Sequence, residues 1–296
     1  MHITDLRFLN IAHTIAAYIL ESNEGPVLIE TGPYSTFPQL EAGLHTVGYR
    51  VEDVQHVLLT HIHLDHAGAA WAFAQNGAQI YVHPFGKKHL AKPEKLLSSA
   101  RRIYQDMMDQ LWGEMQPIAE EQITTVPDEG IITIGNLELR AHHTPGHAVH
   151  HIAWQVANTI FTGDVAGVRI DGGMVVPPCP PPDIHIEDWD RSIERLRGLK
   201  AQQFMLTHYG AVTDREEHLN ALQDRLHRWA EWMQPHAEAG RTVGEVAPDF
   251  EAYVRKELSD SGLDQKAIQQ YDAANPPWMS VAGLLRYWKK KAESEP

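Results

Sequence analysis

Short apolar runs separated by turn residues fill the first third of the chain: IAAYIL (15–20), GPVLIETG (25–32), VQHVLLTH (54–61) and AQIYVH (78–83). Their length and their β-branched or aromatic content predict strands. Between them, STFPQLEAGLHTVG (35–48) and HAGAAWAFAQNG (66–77) carry helical spacing, the second stopping at Gly77. The pattern is an α/β alternation. A helical insertion is predicted over about 84–118, where Ile103, Tyr104, Met107, Met108, Leu111 and Trp112 fall on one helical face. From about 122 strands return as QITTVP, GIITIG, LELRAHHT, HHIAWQV and NTIFTGD, with turn signals between them. These predict an antiparallel meander. A hairpin is expected around Asp171–Gly172–Gly173, then a proline-rich loop, a helix over 187–199 and a buried strand over 202–208. Beyond 214 only helix is predicted, so the chain divides into a domain of 1–214 and a helical C-terminal extension of 215–296.

Composition narrows the function. The net charge of −14 disfavours a nucleic-acid partner, since such proteins usually present a basic face. No apolar run approaches the roughly 18 residues of a membrane span, and no signal peptide is read at the N-terminus. A single cysteine, Cys179, fits a reducing cytoplasm and reads as a passive loop residue among prolines. The unusual number is 19 histidines, because histidine is the commonest metal ligand.

Those histidines concentrate in LLTHIHLDHAGAA (58–70). In an extended chain residues two apart face the same way, so His61 and His63 leave a buried strand side by side. Asp65 and His66 then fall at the start of the next helix, turned toward a second position. The stretch reads as half of a two-metal site. Three further positions repeat the design of an apolar strand followed by a turn with one ligand: His147 in HTPGHAVHH, Asp164 in IFTGDVAG and His208 in FMLTHYG.

THIHLDHAG, TPGHAVHH, FTGDVAG and LTHYG, in that order, resemble the metal-binding motifs of the metallo-β-lactamase-fold hydrolase superfamily. The resemblance spans residues 1 to about 212. It implies a four-layer αββα sandwich with the metals along one edge. It further implies one metal on His61, His63 and His147, and a second on Asp65, His66 and His208, with Asp164 bridging. The donor set favours two zinc ions, with iron or manganese able to use the same ligands. Two such ions share a water of lowered pKa, which Asp65 would orient for hydrolysis. Glu30, in LIETG, stands where the family usually has an aspartate behind the ligands.

Within the superfamily, acyl-homoserine lactonases typically carry a tyrosine three residues after the bridging aspartate, where this chain has Gly167; Tyr209 is a candidate substitute. The helical C-terminal third is similar to that of the glyoxalase II-like group. The expected activity is therefore hydrolysis of a small carbonyl ester, thioester or lactone. Iron-dependent persulfide dioxygenases and phosphodiesterases of the same fold are the alternatives. Met107 and Trp112 are expected to offer an apolar substrate wall. Trp229, Trp232, Trp278 and Trp288 in the extension point to a large apolar contact, within the chain or across a homodimer.

Overall fold

The computed structural model describes residues 1–294. Two mixed six-stranded sheets follow one another along the chain. The first takes β1 (His2–Asp5), β2 (Ala16–Ser22), β3 (Gly25–Ile29), β4 (His56–Leu58), β5 (Gln79–Val82) and β6 (Ile123–Thr125), which lie side by side in chain order. β1 to β3 are antiparallel, and β3 to β6 are parallel. The parallel steps need crossovers, supplied by α1 (Phe37–Thr46), by α2 (Leu64–Ala67) with α3 (Ala70–Gln75), and by the insertion. The second sheet holds β7 (Ile131–Ile134), β8 (Leu137–His143), β9 (Ile152–Val156), β10 (Thr159–Gly163), β11 (Gln203–Leu206) and β12 (Gly210–Val212).

Two sequence expectations change here. QITTVP does not open the second-sheet meander: β6 pairs parallel with β5, and Val126 N donates to Val82 O. The meander is β7 to β10. Around Asp171–Gly172–Gly173 the expected hairpin is reduced to one antiparallel bridge, Val168 to Val176.

The insertion is also less regular than its periodicity predicts. It breaks into α4 (Lys87–Ala91), α5 (Glu94–Tyr104) and α6 (Met108–Leu111). The break follows Tyr104, where Gln105 takes φ 47° and ends the hydrogen-bond ladder. The six apolar residues therefore do not share one face. Met108, Leu111 and Trp112 are buried, whereas Met107 is 51% exposed.

Layering follows from which face each strand buries. Tyr18, Val27 and Leu58 of the first sheet pack against Leu139, Trp154, Phe161 and Met205 of the second. Trp154 also donates its indole N–H to Leu59 O at 2.9 Å across the gap. A fully buried aromatic of this size removes roughly 150–250 Å² from water, so this layer is a major source of stability. The outer face of the first sheet is covered by α1, α3 and the insertion. The outer face of the second is covered by α7 (Ile186–Gly198) and by the C-terminal helices α8 (Arg215–Glu238), α9 (Val243–Asp260), α10 (Gln265–Ala274) and α11 (Pro277–Ser294). The result is the expected αββα sandwich.

The extension shares a buried cluster with α7 and the second sheet. Trp229 is fully buried there, and Trp232 and Trp288 pack against the same cluster. Their demand for apolar surface is met inside the chain, so they carry no argument for a dimer. Among the described residues no helix is long and apolar enough to cross a membrane.

Candidate metal centre

At one edge of the sandwich the two sheets are stitched by backbone hydrogen bonds: Ile152 N to Thr60 O at 2.7 Å, and Ala16 N to Thr207 O at 2.8 Å. The residues that follow these carbonyls, His61 and His208, are thereby fixed at the same edge. His63 precedes the short helix α2, whose first turn carries Asp65 and His66. His147 comes from the β8–β9 loop and Asp164 from the residue after β10. Two glycines make this closeness possible. Gly163 has φ 50°, and a Cβ there would lie 2.4 Å from Thr60 Oγ1. Gly146 has φ 136°, and its Cβ would strike the backbone of Trp189 at 2.3 Å.

Three ring nitrogens converge: His61 Nε2 is 2.9 Å from His63 Nδ1, which is 3.0 Å from His147 Nε2. A second group forms beside them. His208 Nε2 is 3.5 Å from Asp65 Oδ2, and His66 Nε2 is 3.7 Å from the same oxygen. Asp164 stands between the groups. Its Oδ1 is 3.2 Å from His66 Nε2 and 3.6 Å from His208 Nε2, while its Oδ2 is 3.5 Å from His147 Nε2.

The tautomers follow from partners on the far side of each ring. A carbonyl oxygen only accepts, so His147 Nδ1–H donates to Pro178 O at 2.8 Å and His208 Nδ1–H to Thr14 O at 2.6 Å. His66 Nδ1–H donates to Glu30 Oε1 at 2.9 Å. His61 Nδ1–H donates to Thr60 Oγ1 at 3.0 Å, and that hydroxyl donates in turn to Glu30. In each case the lone pair on Nε2 is left facing inward, as a metal ligand requires. Glu30 is fully buried with φ 66°, a backbone strain held in place by these contacts. It could itself join His61 and His66 in a third donor group, but its carboxylate lies behind the His66 ring and acts as the support of that ring.

Electrostatics divides the two groups. Burial, reinforced by the facing rings, holds His61 well below the ordinary imidazole pKa and His63 at about 3. His147 is lowered by burial as well. Burial also opposes charge on His66 and His208, but Asp164, with Glu30 or Asp65, outweighs it and raises both. Conversely, burial favours neutral carboxylates, yet His66 and His208 hold Asp65 at about 2 and Asp164 well below its usual range.

The donor set fits a metal ion. His66 Nε2 and Asp164 Oδ1 are buried, close and out of hydrogen-bond alignment, so neither has a partner. Unpartnered buried polar atoms are costly, and a cation between them satisfies both.

All seven residues singled out in the sequence as metal ligands meet at this edge. Met107 and Trp112 line an adjoining cavity of about 350 Å³, together with Phe8, Leu64 and Tyr104. Asp65, Asp164, His63, His147 and His208 line the same cavity, so the insertion covers the centre. Tyr209 is not among the residues that line it; its ring stacks on His13 with centroids 4.5 Å apart. Gly167 has a packing reason: a Cβ there would lie 2.7 Å from Leu222 of α8 and 2.9 Å from Val176 O, so no larger residue fits. Sequence reasoning missed His151, whose Nδ1–H donates to Thr144 and whose Nε2 accepts from Asp164 N at 3.3 Å, fixing the aspartate's backbone. Its pairing with His150 was the available signal. The segment 272–279, which forms another cavity wall, was marked in the sequence only by Trp278, and only as an apolar contact.

Two mixed sheets between helical layers, with histidines and aspartates convergent at one edge, define a metal-dependent hydrolase sandwich. The chain belongs to the metallo-β-lactamase superfamily, whose profile matches residues 12–204. It is similar to ST1585, a metallo-β-lactamase fold-containing protein of Sulfurisphaera tokodaii, with 29% identity over 202 residues, 66% of this chain and 75% of the relative. The ST1585 crystal structure aligns with a TM-score of 0.62 at 25% identity, covering 74% of this chain and 84% of that one. A metallo-β-lactamase family protein of Thermus thermophilus, TTHA1429, aligns with a TM-score of 0.66 at 20% identity over 94% of this chain and 89% of its own. An N-acyl homoserine lactonase of Bacillus cereus is 34% identical over 80 residues, 19% of this chain and 32% of the relative.

Proposed function

We propose that this chain is a dinuclear metal hydrolase of an ester, thioester or lactone with an apolar acyl group. The observation that carries the reading is Asp164, whose two carboxylate oxygens face separate donor groups at 3.2 and 3.5 Å. His61, His63 and His147 would hold one divalent ion, and Asp65, His66 and His208 the other, with Asp164 on both. Bound there, the ions would supply Lewis acidity and a water acidified toward neutral pH. Imidazole and carboxylate donors favour zinc.

The chain's own residues do the rest. Asp65 is ionised and its side chain is 23% exposed, so it can accept a hydrogen bond from the attacking water and orient it. Glu30 and Thr60 keep the imidazoles of His66 and His61 in the inward-facing tautomer. Phe8, Leu111, Trp112 and Trp278 give the cavity an apolar wall. Among the described residues no lysine or arginine lines it, which favours an uncharged substrate over a phosphodiester or another polyanion. The likeness to a lactonase, short as it is, supports a carbonyl substrate. In this reading residues 1–214 hold the chemistry and 215–296 complete the substrate wall.

The test is a substrate screen of the metal-loaded protein with elemental analysis. Hydrolysis of aryl esters, thioesters or lactones, abolished by chelation, with two metals per chain, is the expected result. Preference for bis-aryl phosphodiesters overturns the substrate class. One iron per chain with persulfide-dependent oxygen uptake overturns the hydrolase reading.

A further inference from the structure

Beside the candidate ligands, the polar groups of the cavity lining among the described residues belong to Ser99, Tyr104, Trp112, Asp272, Asn275 and Trp278. Asn275 and one oxygen of Asp272 are already engaged, whereas Asp272 Oδ1 and Trp112 Nε1 are buried without a partner. Asn275 Nδ2 donates to Pro177 O at 3.3 Å, and Asp272 Oδ2 accepts from Arg255 at 3.0 Å. Tyr104 ends α5, where the turn at Gln105 redirects the chain. Its ring is held edge-on between Trp112, at a centroid distance of 4.9 Å, and Trp278, at 6.0 Å. Aromatic contacts on both sides fix the ring, yet its hydroxyl has no hydrogen-bond partner among the described residues. Tyr104 is partly buried, so this free hydroxyl is open to solvent in the cavity.

We propose that the Tyr104 hydroxyl donates a hydrogen bond to the reacting oxygen of the substrate, making Tyr104 a catalytic residue supplied by the insertion. The proposal rests on the hydrolase reading above. A phenol ordinarily titrates at about 10, so the group is protonated and a donor at neutral pH. Asp65 and Tyr104 line one cavity, so a carbonyl beside the metal centre can meet the water oriented by Asp65 and the donor of Tyr104 together. A fixed donor aimed at an oxygen that gains negative charge acts mainly on the transition state, where it binds more strongly than in the ground state.

The experiment compares the metal-loaded full chain with Tyr104→Phe, which keeps the ring and removes only the hydroxyl. On the best neutral ester or lactone, kcat is expected to fall about 10- to 100-fold, toward the cost of losing one oxyanion donor. KM should stay within about 3-fold, and metal content should not change, because substrate binding by apolar contact is uniform across the reaction. An unchanged kcat, a loss confined to KM, or loss of metal overturns the proposal, since each assigns Tyr104 a packing role. A second measurement is independent of turnover: the infrared carbonyl band of a ¹³C-labelled, non-hydrolysable N-alkyl amide mixed with each protein. The band should lie at lower wavenumber with the wild type than with Tyr104→Phe. Identical bands overturn the proposal. If no ester, thioester or lactone is hydrolysed, the hydrolase reading fails, and the carbonyl band alone decides Tyr104.

Discussion

Asp164 Oδ1 stands 3.2 Å from His66 Nε2, and neither buried atom has a hydrogen-bond partner. The pair is held by opposite supports: Glu30 fixes the far side of the His66 ring, and His151 accepts from the Asp164 backbone. Removal of the carboxylate takes away the one group that faces both donor clusters. Asp164→Ala is expected to lose at least one metal per chain and to lower activity by more than about 100-fold, beyond the effect of losing a supporting group. Unchanged far-ultraviolet circular dichroism will show that the sandwich is intact, and elemental analysis reads the metal. Full turnover in this variant would remove the bridging role.

Glu30 makes a different prediction because it acts through other residues. It accepts from His66, Thr60 and Thr207. All three meet at Oε1, and Oε2 accepts only from Thr60 N at 3.4 Å, so Glu30→Gln removes the negative charge behind His66 and turns the acceptor facing Thr60 N into a donor. Metal affinity, measured by competition with a chelator, should fall about 10- to 100-fold. Equal affinity in the variant would make Glu30 a packing residue.

These supports also show where sequence ceases to inform. His61, His63, Asp65 and His66 were legible because they cluster directly behind a buried strand; the α/β alternation was legible from strand-length runs, and the sandwich only from the resemblance that the four motifs carry. Glu30 was placed behind the ligands only by resemblance, since its partners lie 30 to 177 residues away in the chain. β6 was assigned to the wrong sheet for a related reason. Three residues of strand, Ile123–Thr125, do not state whether the neighbour runs parallel or antiparallel. The helix predicted through 103–112 failed at Gln105, where a residue of good helical propensity adopts a left-handed φ to close the cavity wall.

That break separates Met107 from Met108, and their substitutions should differ. Met108 is buried in the core under the first sheet, so Met108→Ala should cost about 2–5 kcal/mol by cavity formation. Met107 is exposed but lines the substrate cavity, so Met107→Ala should change stability by less than about 0.5 kcal/mol. Its effect should appear instead as a raised KM for longer acyl chains. Urea titration and a chain-length series of aryl esters separate the two. Equal destabilisation by both variants would restore the continuous helical face.

The last prediction concerns the attachment of α11 to α7. Glu187, in the first turn of α7, accepts from Lys291 Nζ at 2.6 Å and from Tyr287 OH at 2.9 Å. Burial opposes its charge, but the Lys291 hydrogen bond, the helix N-terminal backbone and Tyr287 outweigh burial and bring the carboxyl down to about 2. An unfolded glutamate titrates near about 4.3. The folded pKa is thus depressed, so the contribution is fully present above about pH 4.3 and is lost as pH falls toward 2. Both side chains are more than a third exposed, so solvent screening limits the stabilisation to about 1 kcal/mol or less. Wild type and Glu187→Gln, both stripped of metal by a chelator, should therefore differ in urea midpoint at pH 7 and converge between about pH 4 and 2. A difference that grows on acidification would mean that Glu187 is held by something other than its ionised contact with Lys291.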